Sequence, residues 1–517
     1  MANSLPVPDV DTTNRKQSWF TRPLSTWWCV LGWCVATGAF MACVAVPGGP
    51  AVGDAYEIIY PIWAVSHGQL ACMYPPPPHG VIIPSYASPV FPLITGAVGF
   101  VTQIGHSAPF PTGSALGHNC NRALIAMVHW SVKTGAVFPT LWSACVSWLV
   151  LMGGLIALLR ASGRGRTGWE PTALVVVACL PPVWMCIEMY AHPQDLVAMG
   201  FALAAMACVL RTRWVGAGVL IALAVLAQPF ALLIAIPLFV VAPAARKLPF
   251  VISAAVSAAI IDVPLLALTS GSAAHTIFLG SGNAVGAGTT VLWEIHLPST
   301  VLVQISRIAP LVASLVLAWI VQRRLGRAVL QPAALISLVA VSLSLRLVFE
   351  DNLFSYYLMA LAVILVVVDV VHGRIRQTVV AWLAMVTLVY SEPTLIVWRH
   401  SWDQDARHWI PVIVMIVGLL LIIDHILRHH VGWEVVMWAA TVVVALVVWP
   451  LSNDPLNRHP AAWVWQLVLV VTGVALAVGP LWSIFRRPKD PQVIDQVETW
   501  SSLSGQEAEI PVQPTNS

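Results

Sequence analysis

Long apolar stretches recur along almost the whole chain and are separated by short polar connections. The 517 residues are 58% hydrophobic and 9% charged, whereas soluble domains carry roughly 25% charged residues. A chain with so few charges cannot cover its surface with polar groups, so most of it must face lipid. Because a backbone in lipid has to satisfy its own hydrogen bonds, the apolar stretches are predicted to be helices. The sequence therefore predicts an all-α polytopic membrane protein.

About fourteen of these stretches are predicted to be transmembrane helices. The predicted spans are residues 27–46, 137–159, 172–188, 195–210, 214–227, 229–243, 249–268, 301–321, 330–348, 354–371, 377–391, 409–427, 431–450 and 461–483. The two short runs 214–227 and 229–243 meet at Gln228-Pro229, so we expect a helical hairpin there.

Basic residues gather at alternate ends of the predicted spans. Nineteen of the 26 Lys and Arg residues lie at one set of ends and five at the other. Because basic loops stay in the cytoplasm, we expect a multi-pass protein of the cell membrane with both termini cytoplasmic. Counting residues 88–104 as a crossing would reverse every later basic loop, so this segment is interpreted as an interfacial or re-entrant helix.

The first outer loop, residues 47–136, is far longer than most other connections, and such loops tend to be functional. Its two acids, Asp54 and Glu57, follow the first span directly. Residues 58–68 are predicted to form a short helix lying on the bilayer, and a rigid proline run, 75–78, follows. A loop acid usually just faces water. These surroundings make Asp54 a candidate for a fixed position at the membrane surface.

Several short motifs carry a family resemblance. They are Gly53-Asp54 at the outer end of the first span, Gly68 and Tyr74-Pro75 between two interfacial helices, the segment 190–195 (Tyr-Ala-His-Pro-Gln-Asp), and residues 216–229 ending in Gln-Pro. In this order they resemble the GT-C superfamily of membrane glycosyltransferases, in particular the bacterial polyprenyl-phosphate-mannose-dependent α-mannosyltransferases. The resemblance extends loosely over residues 27–371.

The resemblance implies a function on the extracytoplasmic side. A sugar, either mannose or another hexose or pentose, would pass with inversion from a polyprenyl-phosphate donor to an envelope glycolipid or glycan acceptor. Asp54 maps onto the family's catalytic acid and would act as general base. The expected partners are membrane lipid, the lipid-linked sugar donor and the acceptor. Nucleic-acid binding has no support, no cofactor is assigned, and nothing in the sequence supports a divalent cation.

The resemblance also suggests a division of the chain. Residues 1–26 would be a cytoplasmic segment, 27–371 the catalytic module with the outer loop 47–136, 372–485 additional transmembrane helices, and 486–517 a disordered cytoplasmic tail.

Polar residues near the outer face are the further candidates for substrate binding, and Glu57 of the outer loop is one of them. His192, Gln194 and Asp195 would contact sugar or phosphate, although Asp195 also suits the first turn of a helix. Arg346 would reach the outer interface and bind the lipid phosphate, or pair with Glu350 along the helix. Arg307 has the same two interpretations.

Glu350, Asp351 and Tyr356 would line the sugar site, although an aromatic belt also explains the tyrosines at 356 and 357. Asp262 suits a buried protonated acid or a helix-to-helix hydrogen bond better than catalysis. Cys72 and Cys120, the two cysteines of the outer loop, are candidates for a disulfide.

Two alternatives to a glycosyltransferase remain open. Asp262 and the break at Gln228-Pro229 offer some support for a transporter or flippase of a lipid-linked or polar substrate. A non-catalytic scaffold for envelope assembly would keep the fold and lose the activity.

Overall fold

The computed structural model describes residues 22–45, 60–74, 88–102, 137–184, 186–187, 192–269, 299–349, 357 and 359–373. Within these ranges the chain is helical and contains no strand. Four helices there are long and apolar enough to cross a membrane. The predicted spans after residue 376 lie outside the described residues, so the total of about fourteen spans and the predicted orientation stay predictions.

The principal helices are α1 (Thr26–Ala45), α2 (60–66), α3 (Val90–Thr102), α4 (Val137–Ala161), α5 (Trp169–Ala178), α6 (Pro193–Leu210), α7 (Trp214–Ala227), α8 (Leu232–Val241), α9 (Ala244–Leu268), α10 (Ser299–Leu325), α11 (Pro332–Phe349) and α12 (Met359–Val371). Most of the predicted spans in the described ranges coincide with these helices. The predicted break at Gln228-Pro229 is confirmed, because a 3-10 turn over Pro229–Ala231 separates α7 from α8. The pairing of these two helices as a hairpin stays a prediction.

The predicted continuous span over 172–188 is wrong. Helix α5 ends at Ala178, and a separate short helix covers Pro181–Trp184. Proline lacks the N–H that an α-helix needs, and it disfavours helical backbone at the preceding Leu180. The break leads the chain into the turn that carries His192.

Helix α6 occupies the centre of the bundle and packs against α4 and α7. A Cβ added at Gly154 of α4 would overlap the backbone carbonyl of Gly200 in α6, so the two helices touch backbone to backbone. Lipid tails are as apolar as leucine side chains, so helix association in a bilayer depends on such close packing rather than on burial alone.

Helices α9 and α10 lie at the edge of the described bundle. Helix α9 packs on α7. A Cβ added at Gly218 of α7 would overlap the backbone carbonyl of Phe250 in α9, so the two helices lie close together there. Helix α10 packs on α8 and α11, and its other face exposes apolar residues from Val301 to Ile320. An exposed apolar face on a membrane-spanning helix suits contact with lipid.

The described part of the outer loop is folded onto the bundle. Residues 60–66 of α2 are all buried, including the fully covered Trp63, so protein covers this helix on every side. Its predicted position at the bilayer surface stays a prediction. A Cβ at Gly96 of α3 would overlap Val65, so the two loop helices pack tightly together. The following turn, Leu70–Cys72, packs against α9. Aromatic residues suit membrane interfaces and protein cores equally well, so the sequence did not predict this burial.

At the opposite end of the bundle, polar contacts join α4, α5 and α12. The Arg160 guanidinium lies 3.1 Å from the Glu170 carboxylate. The Arg164 side chain donates hydrogen bonds of 2.7 and 3.2 Å to the carbonyl of Val371, which lies at the end of α12. These contacts fix the ends of three helices on the side predicted to be cytoplasmic.

Candidate functional site

The turn before α6 positions His192 and Gln194. The His192 N–H donates to the carbonyl of Cys186 at 2.7 Å, which closes the turn. The Gln194 amide nitrogen Nε2 lies 2.9 Å from His192 Nδ1. Because an amide nitrogen donates, Nδ1 accepts, and a neutral ring then carries its proton on Nε2. Proline at the first position of α6 fixes the direction in which the helix leaves this turn.

Asp195 lies in the first turn of α6 and is 2% exposed. No side-chain hydrogen bond caps this helix at His192, its N-cap residue. Within the described residues, Asp195 Oδ1 and Gln194 Oε1 are buried and make no hydrogen bond. Buried polar atoms are nearly always hydrogen-bonded in native proteins. Two neighbouring acceptors without donors indicate a place where a ligand would supply hydroxyl groups.

The break between α7 and α8 brings Gln228 to Asp195. The Gln228 backbone is extended, with φ −157° and ψ 132°, where α7 stops and the proline turn begins. Its side chain forms a hydrogen bond with Asp195. The amide of Gln228 therefore holds one side of the carboxylate, and the partnerless Oδ1 remains on the other.

Arg346, near the end of α11, lies between two aromatic rings. Its guanidinium carbon is 3.9 Å from the centre of the Tyr357 ring and 5.6 Å from that of Phe230. Asp195 and Cys186 both lie within its electrostatic range. Aromatic faces hold a guanidinium in place by cation–π attraction.

The structure thus brings together four of the predicted substrate-binding residues, His192, Gln194, Asp195 and Arg346, although they come from two distant segments. We call these four residues together with Gln228, Phe230 and Tyr357 the polar cluster. Gln228 and Phe230 were not predicted as site residues, and Tyr357 was assigned to an aromatic belt. The Gln-Pro dipeptide was the available signal for Gln228.

The other predicted site residues, Asp54, Glu57, Glu350, Asp351 and Tyr356, lie outside the described residues, so their roles stay predictions. The pairing of Arg346 with Glu350 stays a prediction for the same reason.

Asp262 of α9 does not join the polar cluster. Its Oδ1 is buried without a hydrogen bond among the described residues, and its charge acts on the buried Tyr74 of the outer loop. Arg307 of α10 is exposed. Asp262 therefore marks a second polar position, at the contact between the outer loop and α9.

Cys72 is disulfide-bonded. Its predicted pairing with Cys120 stays a prediction, because Cys120 lies outside the described residues. In the ranges that the structure describes, no group of three or more His, Cys, Asp or Glu residues comes together as metal ligands would.

No protein-family model and no curated protein sequence matches the chain. Among solved structures, a match is the crystal structure of ArnT from Cupriavidus metallidurans in the apo state. The sequence identity is 14%, the match covers 88% of this chain and 77% of that chain, and the TM-score is 0.39. This similarity is too low to assign the chain to a family.

Proposed function

We propose that the protein is a GT-C-type membrane glycosyltransferase. It transfers a sugar, mannose or another hexose or pentose, from a polyprenyl-phosphate donor to an envelope glycolipid or glycan on the extracytoplasmic side. The observation that carries this proposal is the polar cluster, in which a ring-held guanidinium stands beside a buried carboxylate with a partnerless oxygen. A phosphorylated sugar needs both features, because its phosphate takes N–H donors and its hydroxyls take oxygen acceptors.

In the proposed reaction, the acceptor hydroxyl oxygen attacks the anomeric carbon of the donor sugar. Asp54 removes the hydroxyl proton as general base. The bond from the anomeric carbon to the phosphate oxygen breaks, and polyprenyl phosphate leaves with the electron pair. One carboxylate suffices because inversion needs no covalent intermediate.

Arg346 takes the leaving phosphate, where negative charge develops during the reaction. The Tyr357 and Phe230 rings hold the guanidinium in place before the donor binds, so little side-chain freedom is lost on binding. Gln194 Oε1 and Asp195 Oδ1 accept sugar hydroxyls. Glu57, Glu350, Asp351 and Tyr356 complete the sugar site in this proposal.

The proposal is tested with the full chain in proteoliposomes supplied with polyprenyl-phosphate-mannose carrying a labelled sugar and with membrane glycolipid acceptors. We expect Asp54→Asn to abolish labelled product, because the amide cannot accept the proton. Asp495→Asn, an identical change in the C-terminal segment, serves as the control. Full activity of the Asp54→Asn protein would exclude the assigned mechanism.

A second candidate function, a transporter or flippase, is favoured by Asp262. A carboxyl group within an apolar helix is costly and commonly marks a transport path. This function predicts that labelled lipid-linked sugar crosses the proteoliposome membrane without forming a product, and that Asp262→Asn stops the crossing. Product formation that is insensitive to Asp262→Asn would exclude it.

A further inference from the structure

Arg307 lies on the same face of α10 as a fully buried serine, yet it is exposed. Ser314 follows Arg307 by seven residues, which is close to two helical turns, so the two side chains leave the helix in nearly the same direction. Ser314 is 0% exposed, and its hydroxyl lies 2.6 Å from that of Ser342 in α11. Arg307 therefore leaves α10 on the side of the seam with α11, at its exposed edge, next to the buried Ser306.

Arg346 lies at the same end of the seam on the opposite helix. Helices α10 and α11 are antiparallel, being joined by the short connection 326–331. Going from the serine pair away from this connection, Arg307 lies about 10 Å along α10 and Arg346 about 6 Å along α11, at about 1.5 Å per residue. Ser342 also donates to the carbonyl of Leu233 at 2.5 Å, so α8 and its neighbouring Phe230 belong to the same assembly.

The two guanidinium groups thus come from facing stripes of neighbouring helices and lie at similar depths. Within the described residues, Arg307 makes no ion pair. A charged arginine inside a membrane-spanning segment is costly unless it meets an anion or reaches water. Two arginines on neighbouring helices at the same end of one seam offer several N–H donors, which suits the several oxygens of a phosphate group.

We propose that Arg307 and Arg346 together bind the phosphate group of a membrane lipid, with Arg307 at the exposed edge of the α10–α11 seam and Arg346 in the polar cluster. The choice of polyprenyl phosphate as this lipid rests on the proposed function. The two-arginine site itself rests on the serine-anchored seam. The phosphate first meets the exposed Arg307 and then reaches Arg346 beside the polar cluster, which delivers the attached sugar to Asp195 and Gln194.

The inference is tested by the binding of polyprenyl phosphate to the full chain in phosphatidylcholine nanodiscs. Loss of one charged hydrogen-bond donor weakens binding about tenfold, so we expect this for Arg307→Gln. Arg307→Lys keeps the charge without the guanidinium and should lie between Gln and wild type. Arg323→Gln, at the far end of the same helix, removes an arginine held over Trp319 and should bind as wild type does. An unchanged thermal unfolding midpoint ensures that Arg307→Gln is folded.

Two ligand controls identify what is bound. Polyprenol lacks the phosphate, so its binding should not change in Arg307→Gln. Inorganic phosphate at the same concentration as polyprenyl phosphate should not displace the bound lipid. Displacement of the lipid at this concentration would overturn the assignment of the site to a lipid. Arg307→Gln binding polyprenyl phosphate like wild type, or losing no more than Arg323→Gln, would overturn the two-arginine site. If Arg307→Gln loses lipid binding while the wild type transfers no sugar, the proposed function fails and this inference stands.

Discussion

Helices α6 and α9 are both apolar and both carry one acid, yet their surroundings differ. In the apolar stretch of α6, 78% is buried inside the protein, whereas in that of α9 only 6% is buried. Asp195 of α6 is buried among Gln228, His192 and Arg346, whereas Asp262 of α9 is half-buried near Tyr74. Hydropathy selects both helices as spans and does not distinguish them. The packing partners decide which acid can take part in a site.

The largest expected effect concerns the close crossing that places α6 at the centre. In Gly154→Ala the new Cβ meets the backbone of Gly200, which cannot move aside as a side chain does. We expect a loss of about 3 kcal/mol of unfolding free energy from this overpacking. The measurement is the unfolding midpoint of the purified chain in detergent.

Gly153→Ala on the neighbouring residue is the matched control, because its Cβ would meet nothing within 4 Å. It should be neutral or stabilise the helix by up to about 1 kcal/mol, since alanine is the better helix former. Equal midpoints for the two variants would show that α4 and α6 do not touch at this crossing.

The second test compares the two acids directly. Asp195→Asn keeps the size of the side chain and removes the charge beside Arg346. The loss of a charged hydrogen-bond acceptor at a buried site should lower kcat/KM for sugar transfer about 10- to 100-fold. Asp262→Asn should change kcat/KM less than about threefold, a change worth less than 1 kcal/mol. Equal losses in both variants would contradict the assignment of the site to α6.

The third test compares two arginines that are held over aromatic rings. Arg346 lies over Tyr357 in the polar cluster, and Arg323 lies over Trp319 at the edge of the bundle. A cation–π contact contributes about 0.5–2 kcal/mol, so Tyr357→Leu should raise the KM for the donor several-fold. Tyr357→Phe keeps the aromatic ring, so its KM for the donor should equal that of the wild type.

Trp319→Leu is the matched control for this test and should leave the KM unchanged. An equal rise in the two leucine variants would indicate a general loss of packing rather than a role in donor binding.

The sequence could predict the helices because a lipid environment permits almost no other backbone structure. Arg346 could be predicted as a site residue because a charge within an apolar helix is costly and usually marks a functional site. Its ring partner Phe230 could not be predicted, since nothing in an apolar turn tells which distant side chain it meets. The buried position of α2 also escaped prediction, because Tyr60 and Trp63 suit a bilayer surface as well as a protein interior. Asp54 was predicted from its surroundings in the outer loop and from a family resemblance, and its role stays a prediction.

The smallest expected effect concerns the ion pair between Arg160 of α4 and Glu170 of α5. The basic residues Lys247 of α9 and Arg323 of α10 instead lie over aromatic rings. Burial raises the pKa of Glu170. The hydrogen bonds from the Arg166 N–H and the Arg160 side chain outweigh this effect, so the pKa of Glu170 lies below its ordinary 4.5. The folded state therefore gains stability from Glu170 above pH 4.5, and this gain is lost as the pH falls through the lowered pKa. Because Arg160 is 49% exposed, we expect this gain in unfolding free energy to be about 1 kcal/mol or less.

Unfolding midpoints measured from pH 6 to pH 3 should fall less steeply for Glu170→Gln than for wild type, and Glu507→Gln should follow wild type. If the unfolding midpoints of Glu170→Gln and Glu507→Gln fall equally steeply with pH, the ion pair between Arg160 and Glu170 contributes nothing to stability.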